Sequence, residues 1–576
     1  MKEPAPQPPI THDLPSRSQS LRGRPLRFLV IGAGSRGNAY ARAVTTSTPA
    51  HIHAVAEPHA FKRASFGRKY IWGEKGVPAD GQEFGDWREW LEWETRRRQA
   101  QSRQSQSQGV DGVDGVFICT LDETHVEIVT ALAPLGLHIL CEKPLALSLG
   151  DCLAVYKALS PTPSATASDS DRGSADANAS GKGKIFSIGH VLRYSPHNIL
   201  LRKLLLLDRA IGDIVSLEHT EPVGWWHFAH SYVRGNWRRA TPQGDGSLLT
   251  KSCHDIDFIL WLLSSPPPPA DSPQGNTMGR AREERESYHH PRSITSTGNM
   301  TQFRRARKPP AAGPATNCVT CPAERECIYS AVRIYRDLHL SRGDTGWPVK
   351  IVVPDIEDVL RSSAKSEADA DAEEHLLARL REDYSPEMSD EEIAARPWYG
   401  RCVYEADNNV CDDQVVTITW DDEDEDEDSP GGKGEGRLAK TAVFHMIAPT
   451  EKQCERRGRV YGTRGEIAYD SRTISIYDFA TRSTTTVEVP KQPPEEEEAH
   501  GGGDYGLARS FVRAVDAVEN EGWDVQRAQT HFVGCTLEEA VRSHAVVFAA
   551  EEARREEKVV RWKEWWAEKL AAAGIA

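Results

Sequence analysis

RFLVI at 27–31, GAGSRG at 32–37, NAYARAV at 38–44 and HIHAVAEP at 51–58 decide how this chain folds. The first five residues suffice for a buried strand, and the glycines follow them without a spacer. The next segment reads as the opening of a helix. A second apolar run then ends at Glu57, 20 residues after Gly37. Strand, glycine turn, helix, strand and terminal carboxylate is the order of a dinucleotide-binding Rossmann unit. Gly32 permits the tight turn, Gly34 lets the backbone approach a pyrophosphate, and Gly37 lets helix and strand pack closely. Ser35 and Arg36 stand at the helix N-terminus, whose unpaired N–H groups and partial positive charge suit phosphates. Glu57 would accept hydrogen bonds from ribose hydroxyls and repel a 2′-phosphate, which favours NAD over NADP.

Outward from this unit, 576 residues are more than one domain needs. A net charge of −15 argues against a nucleic-acid-binding surface. The sequence holds no run of 18 apolar residues, so no membrane span is expected. The opening MKEPAPQPPITHDLPSRS lacks the apolar core of a signal peptide, and is too proline-rich and acidic for a mitochondrial presequence. Eleven cysteines, most of them single within apolar runs (Cys119, Cys141, Cys535), fit a reducing compartment, and a cytoplasmic location is expected.

Composition divides the chain. Residues 1–24 read as a disordered Pro/Ser-rich tail, and 25–190 as the Rossmann domain, with disordered inserts near 95–109 and 160–183. Residues 191–560 read as an α+β domain with a mostly antiparallel open sheet. Its acidic or polar inserts lie near 265–297, 363–374, 421–437 and 490–500. The fold class is α/β. Strands are predicted at 113–120, 138–141 and 184–190, then at 414–420, 442–447, 465–469 and 473–477. Helices are predicted at 125–135, with His125 and Val129 on one face, after the Ser148/Asp151 capping pair, and at 537–552.

Further segments are familiar: ICTLDETH at 118–125, CEKPLALS at 141–148, GHVLRYSP at 189–196, GDGSLLTKSCHDIDFILWL at 244–262 and YGTRGEIAYD at 461–470. With GAGSRG and AEP they resemble the Gfo/Idh/MocA oxidoreductases, a family named for glucose–fructose oxidoreductase and inositol dehydrogenase. The resemblance implies substrate bound between the second domain's sheet and the nicotinamide of NAD. It also implies cofactor contacts from Thr120, His125, Glu142 and Lys143, and a homo-oligomer.

Lys143 is the first catalytic candidate. It follows a presumed parallel strand at the end where ligands bind in open α/β sheets, and desolvation beside a cofactor disfavours its charge. An isolated lysine there would be a surface residue; the resemblance gives it the reacting hydroxyl and its proton, with Glu142 orienting it. His254 is the second candidate, three positions before Asp257 and so on the same helical face, an arrangement suited to an acid/base pair. Its plainer reading is a helix-capping histidine. Many sugar dehydrogenases of the family carry an Asp four positions before this His. Here Thr250 stands there, beside Lys251, so the reaction need not be simple alcohol oxidation.

GWWHFAHSYVRGNWRR at 224–239 packs three tryptophans, two histidines, a tyrosine and three arginines into 16 residues. Aromatic faces stack on sugar C–H groups, and His and Arg bind hydroxyls or carboxylates. A carbohydrate pocket wall formed by His227, His230, Tyr232, Arg234 and Trp237, joined by Lys251 and Asp257, is the expectation; a buried aromatic core is the rival. Cys318-x2-Cys321-x5-Cys327 has the density of a metal site, with Cys402 or Cys411 as fourth ligand. Structural zinc fits such thiolates first and an iron–sulfur cluster second; three free thiols in a loop is the alternative.

Together these features predict an NAD-dependent oxidoreductase moving a hydride between a sugar or polyol hydroxyl and nicotinamide. Two rivals stand beside it. One is a glycoside-cleaving enzyme with tightly bound, recycled NAD. The other is a non-catalytic NAD-binding regulator, against which the pairing of Lys143 with His254 counts.

Overall fold

The computed structural model describes residues 23–103, 112–160, 183–241, 246–268, 288–361, 365–423 and 437–575. Nearly all of the expected tail and of the insert near 160–183 lies outside these residues, as does most of 421–437.

The first sheet is parallel throughout. It contains β1 (Arg27–Ile31), β2 (His51–Ala56), β3 (Glu83–Phe84), β4 (Gly115–Ile118), β5 (His138–Cys141) and β6 (Phe186–Ile188), in the order β3-β2-β1-β4-β5-β6. β4 and β5 are buried along their whole length because helices cover both faces, which is why their sequences do not alternate. One of those covers comes from the far end of the chain. Phe511, on the helix Gly503–Glu519, places its ring 5.4 Å from Phe117 and 5.8 Å from Phe28.

The second sheet is mostly antiparallel. β7 (Ile214–Pro222), β8 (Ser293–Asn299), β9 (Asp413–Trp420), β10 (Lys440–Ile447), β11 (Arg457–Gly462), β12 (Gly465–Tyr469), β13 (Ile474–Asp478), β14 (Ser483–Val487) and β15 (Val560–Arg561) form it. Their order is β14-β13-β12-β11-β7-β10-β9-β8-β15, and only β7 and β10 pair in parallel. β9 alternates strictly between half-buried and buried residues, as a strand with one covered face must. That cover includes the helix Ser247–Leu263, buried along its whole length, with Leu537–Arg555 packed against it.

Four expected inserts are corrected. Residues 95–103 continue the helix Trp87–Arg103, where wholly buried Glu94 pairs with Arg97 and Arg98, each at 2.7 Å. Charge pairing at i,i+3 and i,i+4 supports this helix where apolar periodicity is absent. Residues 293–297 belong to β8. Residues 365–374 open the helix Lys365–Arg381, whose buried Ala368, Ala372, Leu376 and Leu380 recur every fourth position among acids. Within 490–500, Pro494–Glu497 is a helical turn whose buried Glu496 meets Arg509 at 3.0 Å.

Between β8 and β9 the chain makes a long excursion with a core of its own. Ile334, Tyr335, Val349, Val352, Val353 and Ile356 pack there against Ala372, Leu376 and Leu380.

Candidate active site

One cleft runs from the glycine turn at β1 to the excursion, passing the carboxyl ends of β4 and β5. At its first end Gly32 has φ +93°, and a Cβ on it would lie 2.5 Å from the Cys119 carbonyl oxygen. A Cβ on Gly37 would stand 2.0 Å from the Gly32 oxygen, so close packing of helix on strand demands glycine. Gly34 differs. Nothing lies within 4 Å of where its Cβ would be, and the helix Ser35–Ser47 begins there without a side-chain cap. This open, uncapped N-terminus fits a pyrophosphate. Glu57 ends β2 in the cleft wall, its carboxylate accepting from the N–H groups of Ala33 at 2.8 Å and His59 at 2.9 Å. Thr120 and Ser35 also line this end.

Arg36 binds protein rather than open cleft. It donates to Glu142 at 2.7 Å and to both oxygens of Asp504 at 2.8 and 3.0 Å, while Tyr40 donates to the same Glu142. Burial opposes the charge on Glu142, but Arg36 and Tyr40 outweigh it and hold the carboxyl below the usual range. Glu142 is thus taken up by this network. It reaches Lys143 only at the backbone N–H, at 3.1 Å, and does not hold the ammonium as expected. That ammonium donates instead to the Thr250 carbonyl at 2.7 Å and lies 5.7 Å from the Trp237 ring centre. His125, expected at the cofactor, is fully buried behind the strand ends, with Nδ1 2.7 Å from the Pro144 oxygen. It braces the Lys143 segment.

His254 is 6% exposed and lines the cleft beside Lys251. Its Nε2 stands 2.7 Å from an Arg456 nitrogen, and its Nδ1 is buried without a hydrogen-bond partner among the described residues. Burial, and then Arg456, hold its pKa well below the ordinary value. A guanidinium only donates, so Nε2 accepts and the neutral ring carries its proton on Nδ1. Asp257 is not its partner. Asp257 turns to Arg193 at 2.7 and 2.8 Å and to His190 at 3.1 Å, away from the cleft, because three positions on a helix fall about 60° short of one turn and a buried arginine waits there. Lys251 pairs with Glu221 at 3.0 Å and with the Cys454 sulfur at 3.0 Å. Burial disfavours its charge, but Cys454 and Glu221 raise its pKa above the ordinary lysine value.

The aromatic segment forms the opposite wall. Tyr232 stacks on Trp237 at 5.6 Å, and Trp237 donates to Asp122 at 2.8 Å. His230 stacks on Tyr399 at 5.1 Å and, like His227, packs edge-on to Trp347, at 5.3 and 4.9 Å. Arg234 is the exception. It faces away and donates to backbone oxygens of Arg401 and Tyr329 and to the Cys318 sulfur. Trp347, Tyr399, Cys454 and Arg456 were not foreseen, since nothing in TGWPVK, PWYG or KQCERRGR marks a site until the excursion and the connection between β10 and β11 meet at the cleft.

Residues 26–164 match the model of the Gfo/Idh/MocA oxidoreductase family, NAD-binding Rossmann fold. These residues carry that family's NAD-binding Rossmann domain. It is 27% identical over 152 residues to the 2,7-anhydro-N-acetylneuraminate hydratase of Escherichia coli (strain K12), covering 26% of this chain and 34% of that one. It is 28% identical over 149 residues to the levoglucosan dehydrogenase of Pseudarthrobacter phenanthrenivorans, covering 26% and 32%. The match therefore spans about a third of the length of these relatives. A solved levoglucosan dehydrogenase in complex with NADH shares the two-domain fold, with a TM-score of 0.52 over 94% of this chain and 99% of that chain, at 14% identity. Among the described residues no helix is long and apolar enough to cross a membrane.

Proposed function

We propose that the protein is an NAD-dependent oxidoreductase acting on a hydroxyl group of a sugar or related polyol. One observation carries the reading: the Lys143 ammonium and the His254 ring share one cleft with an uncapped glycine turn at one end and an aromatic wall at the other. Bound NAD would accept the hydride. Lys143, as the neutral amine, would take the hydroxyl proton and become the ammonium that the Thr250 carbonyl holds in position. His254, neutral and accepting at Nε2 from Arg456, would hold that guanidinium at the pocket rather than act as a base. Trp237, Tyr232 and His227 would receive the substrate's C–H faces and hydroxyls. Glu57 supports NAD over NADP by charge.

A second reading is favoured by one feature. The Thr250 hydroxyl bonds back to the Gly246 carbonyl at 3.0 Å, so no carboxylate stands at this position, and the E. coli relative is a hydratase. In that reading the oxidation is transient and NAD is regenerated within the site.

Absorbance of NADH is the test, with NAD, a panel of sugars, cyclitols and anhydro-sugars, and Lys143→Ala as control. Accumulation that falls by about 10²–10⁴ in the variant, with NADH binding retained, supports the dehydrogenase. Product without NADH supports the recycling reading. A variant as active as the parent overturns both.

A further inference from the structure

We propose that Cys318, Cys321, Cys327 and Cys402 hold an iron–sulfur cluster that fastens the excursion to the cleft wall. Folding brings the three clustered cysteines together with Cys402, 75 positions further on, around one small cavity whose remaining lining includes Arg234, Tyr329 and Val403. Cys411 is not among the lining residues. All four thiols are free of disulfides.

The spacing of the sulfurs selects the metal centre. A tetrahedral zinc with bonds of roughly 2.3 Å would bring its thiolates to about 3.8 Å from one another. No three of these four sulfurs lie mutually within 4.8 Å; among the described residues only His190, Cys253 and His544 form a group that tight. Thiolates on a polynuclear cluster bind different irons at its outer corners and stand further apart, as these do. The tighter group carries no metal proposal. His544 spends Nδ1 on the Ala540 oxygen and accepts the Leu145 N–H at Nε2, which leaves no ring nitrogen for a metal.

Charge points the same way. Arg234 is 1% exposed and forms no ion pair with a carboxylate among the described residues. Its Nη2 donates to the Cys318 sulfur at 3.4 Å, and among the described residues its buried Nη1 meets no carboxylate. A buried guanidinium requires a compensating negative charge. A thiolate-ligated cluster supplies one, and hydrogen bonds to its sulfurs stabilise it. Arg234 also closes the helical segment Ala229–Arg234, whose His230 and Tyr232 line the cleft. Cys402 follows Tyr399, which stacks on His230, by three residues. The centre thus joins the excursion to the aromatic wall of the pocket from behind.

The experiment is iron and acid-labile sulfide analysis of the full-length protein purified without oxygen, with its visible absorption before and after dithionite. Iron and sulfide near stoichiometry, absorption bleached by dithionite, loss of both in Cys402→Ser and retention in Cys411→Ser are expected. Zinc without iron, or no metal in the parent protein, overturns the proposal, as does full iron in a soluble Cys402→Ser. The parent protein alone decides the matter should the variant fail to fold. No substrate is needed, so the result is independent of the reaction proposed above.

Discussion

Lys143 and Lys251 face the same cleft, but different groups hold them. Lys143 donates to a carbonyl, which lends a partial charge; Lys251 is locked by the full charge of Glu221. An ammonium paired with a buried carboxylate gives up its proton at high cost, which favours Lys143 over Lys251 as the proton carrier in the reaction proposed above. His254 is the residue whose role changes most from the sequence reading. NMR of its ring should show a neutral Nδ1–H tautomer from pH 5 to 8, because burial and Arg456 both disfavour the imidazolium. A ring that protonates near pH 6.5 would return it to acid/base chemistry. Glu57 tests cofactor choice. Glu57→Gln retains an acceptor for the Ala33 and His59 N–H groups and removes the charge. The ratio of kcat/KM for NAD over NADP should then fall about tenfold, equal to ~1.4 kcal/mol of lost repulsion.

At the scale of the element, the glycine turn separates two roles that the motif GAGSRG merges. Gly37→Ala drives a methyl into the Gly32 carbonyl, so unfolding stability should drop by roughly 1–3 kcal/mol. Gly34→Ala meets no protein atom, and its φ of −74° suits alanine. Its stability should stay within about 0.5 kcal/mol of the parent. The added methyl projects into the cleft at the helix N-terminus, so NAD affinity measured by calorimetry should fall at least tenfold. Equal loss of stability in the two variants would place Gly34 in the packing instead. The helix Lys365–Arg381 teaches a different lesson. Its buried face is built from alanine and leucine at every fourth position, and small apolar residues among acids read as a solvated loop until a core is found for them.

Across the whole molecule, buried histidines set the acid limit of stability. Burial, and then neighbouring positive charge, push His230 and His544 down to about 3. The folded protein keeps both neutral at pH 5, whereas the unfolded chain protonates them below its ordinary value of about 6.5. The unfolded state therefore binds more protons between those limits, and stability falls as pH drops through 6.5. Each histidine should contribute about 2 kcal/mol of loss at pH 5, where carboxylates have barely begun to titrate. Urea midpoints measured at pH 7 and pH 5 check this; identical midpoints would mean that the rings are accessible. At this scale, too, the chain's two ends are one structure. Phe511 seals the sheet that Phe28 begins, so removing the C-terminal helices would expose the core of the first domain.

The sequence alone determined the parallel sheet, the glycine turn, Glu57 and the Lys143 segment, because each is local. A buried strand, a φ above zero and a strand-end carboxylate leave their marks within 31 residues, 27 to 57. It also showed the aromatic wall as a segment and the cysteines as a cluster. Tertiary structure alone decided which side chains of those segments face the cleft. Asp257 and Arg234 turn from it because buried partners of opposite charge or with free acceptors lie elsewhere. Cys454, Arg456, Trp347 and Tyr399 enter it from far along the chain. Those pairings depend on desolvation and on distances set by the packing of distant elements, and neither quantity is written in residue spacing.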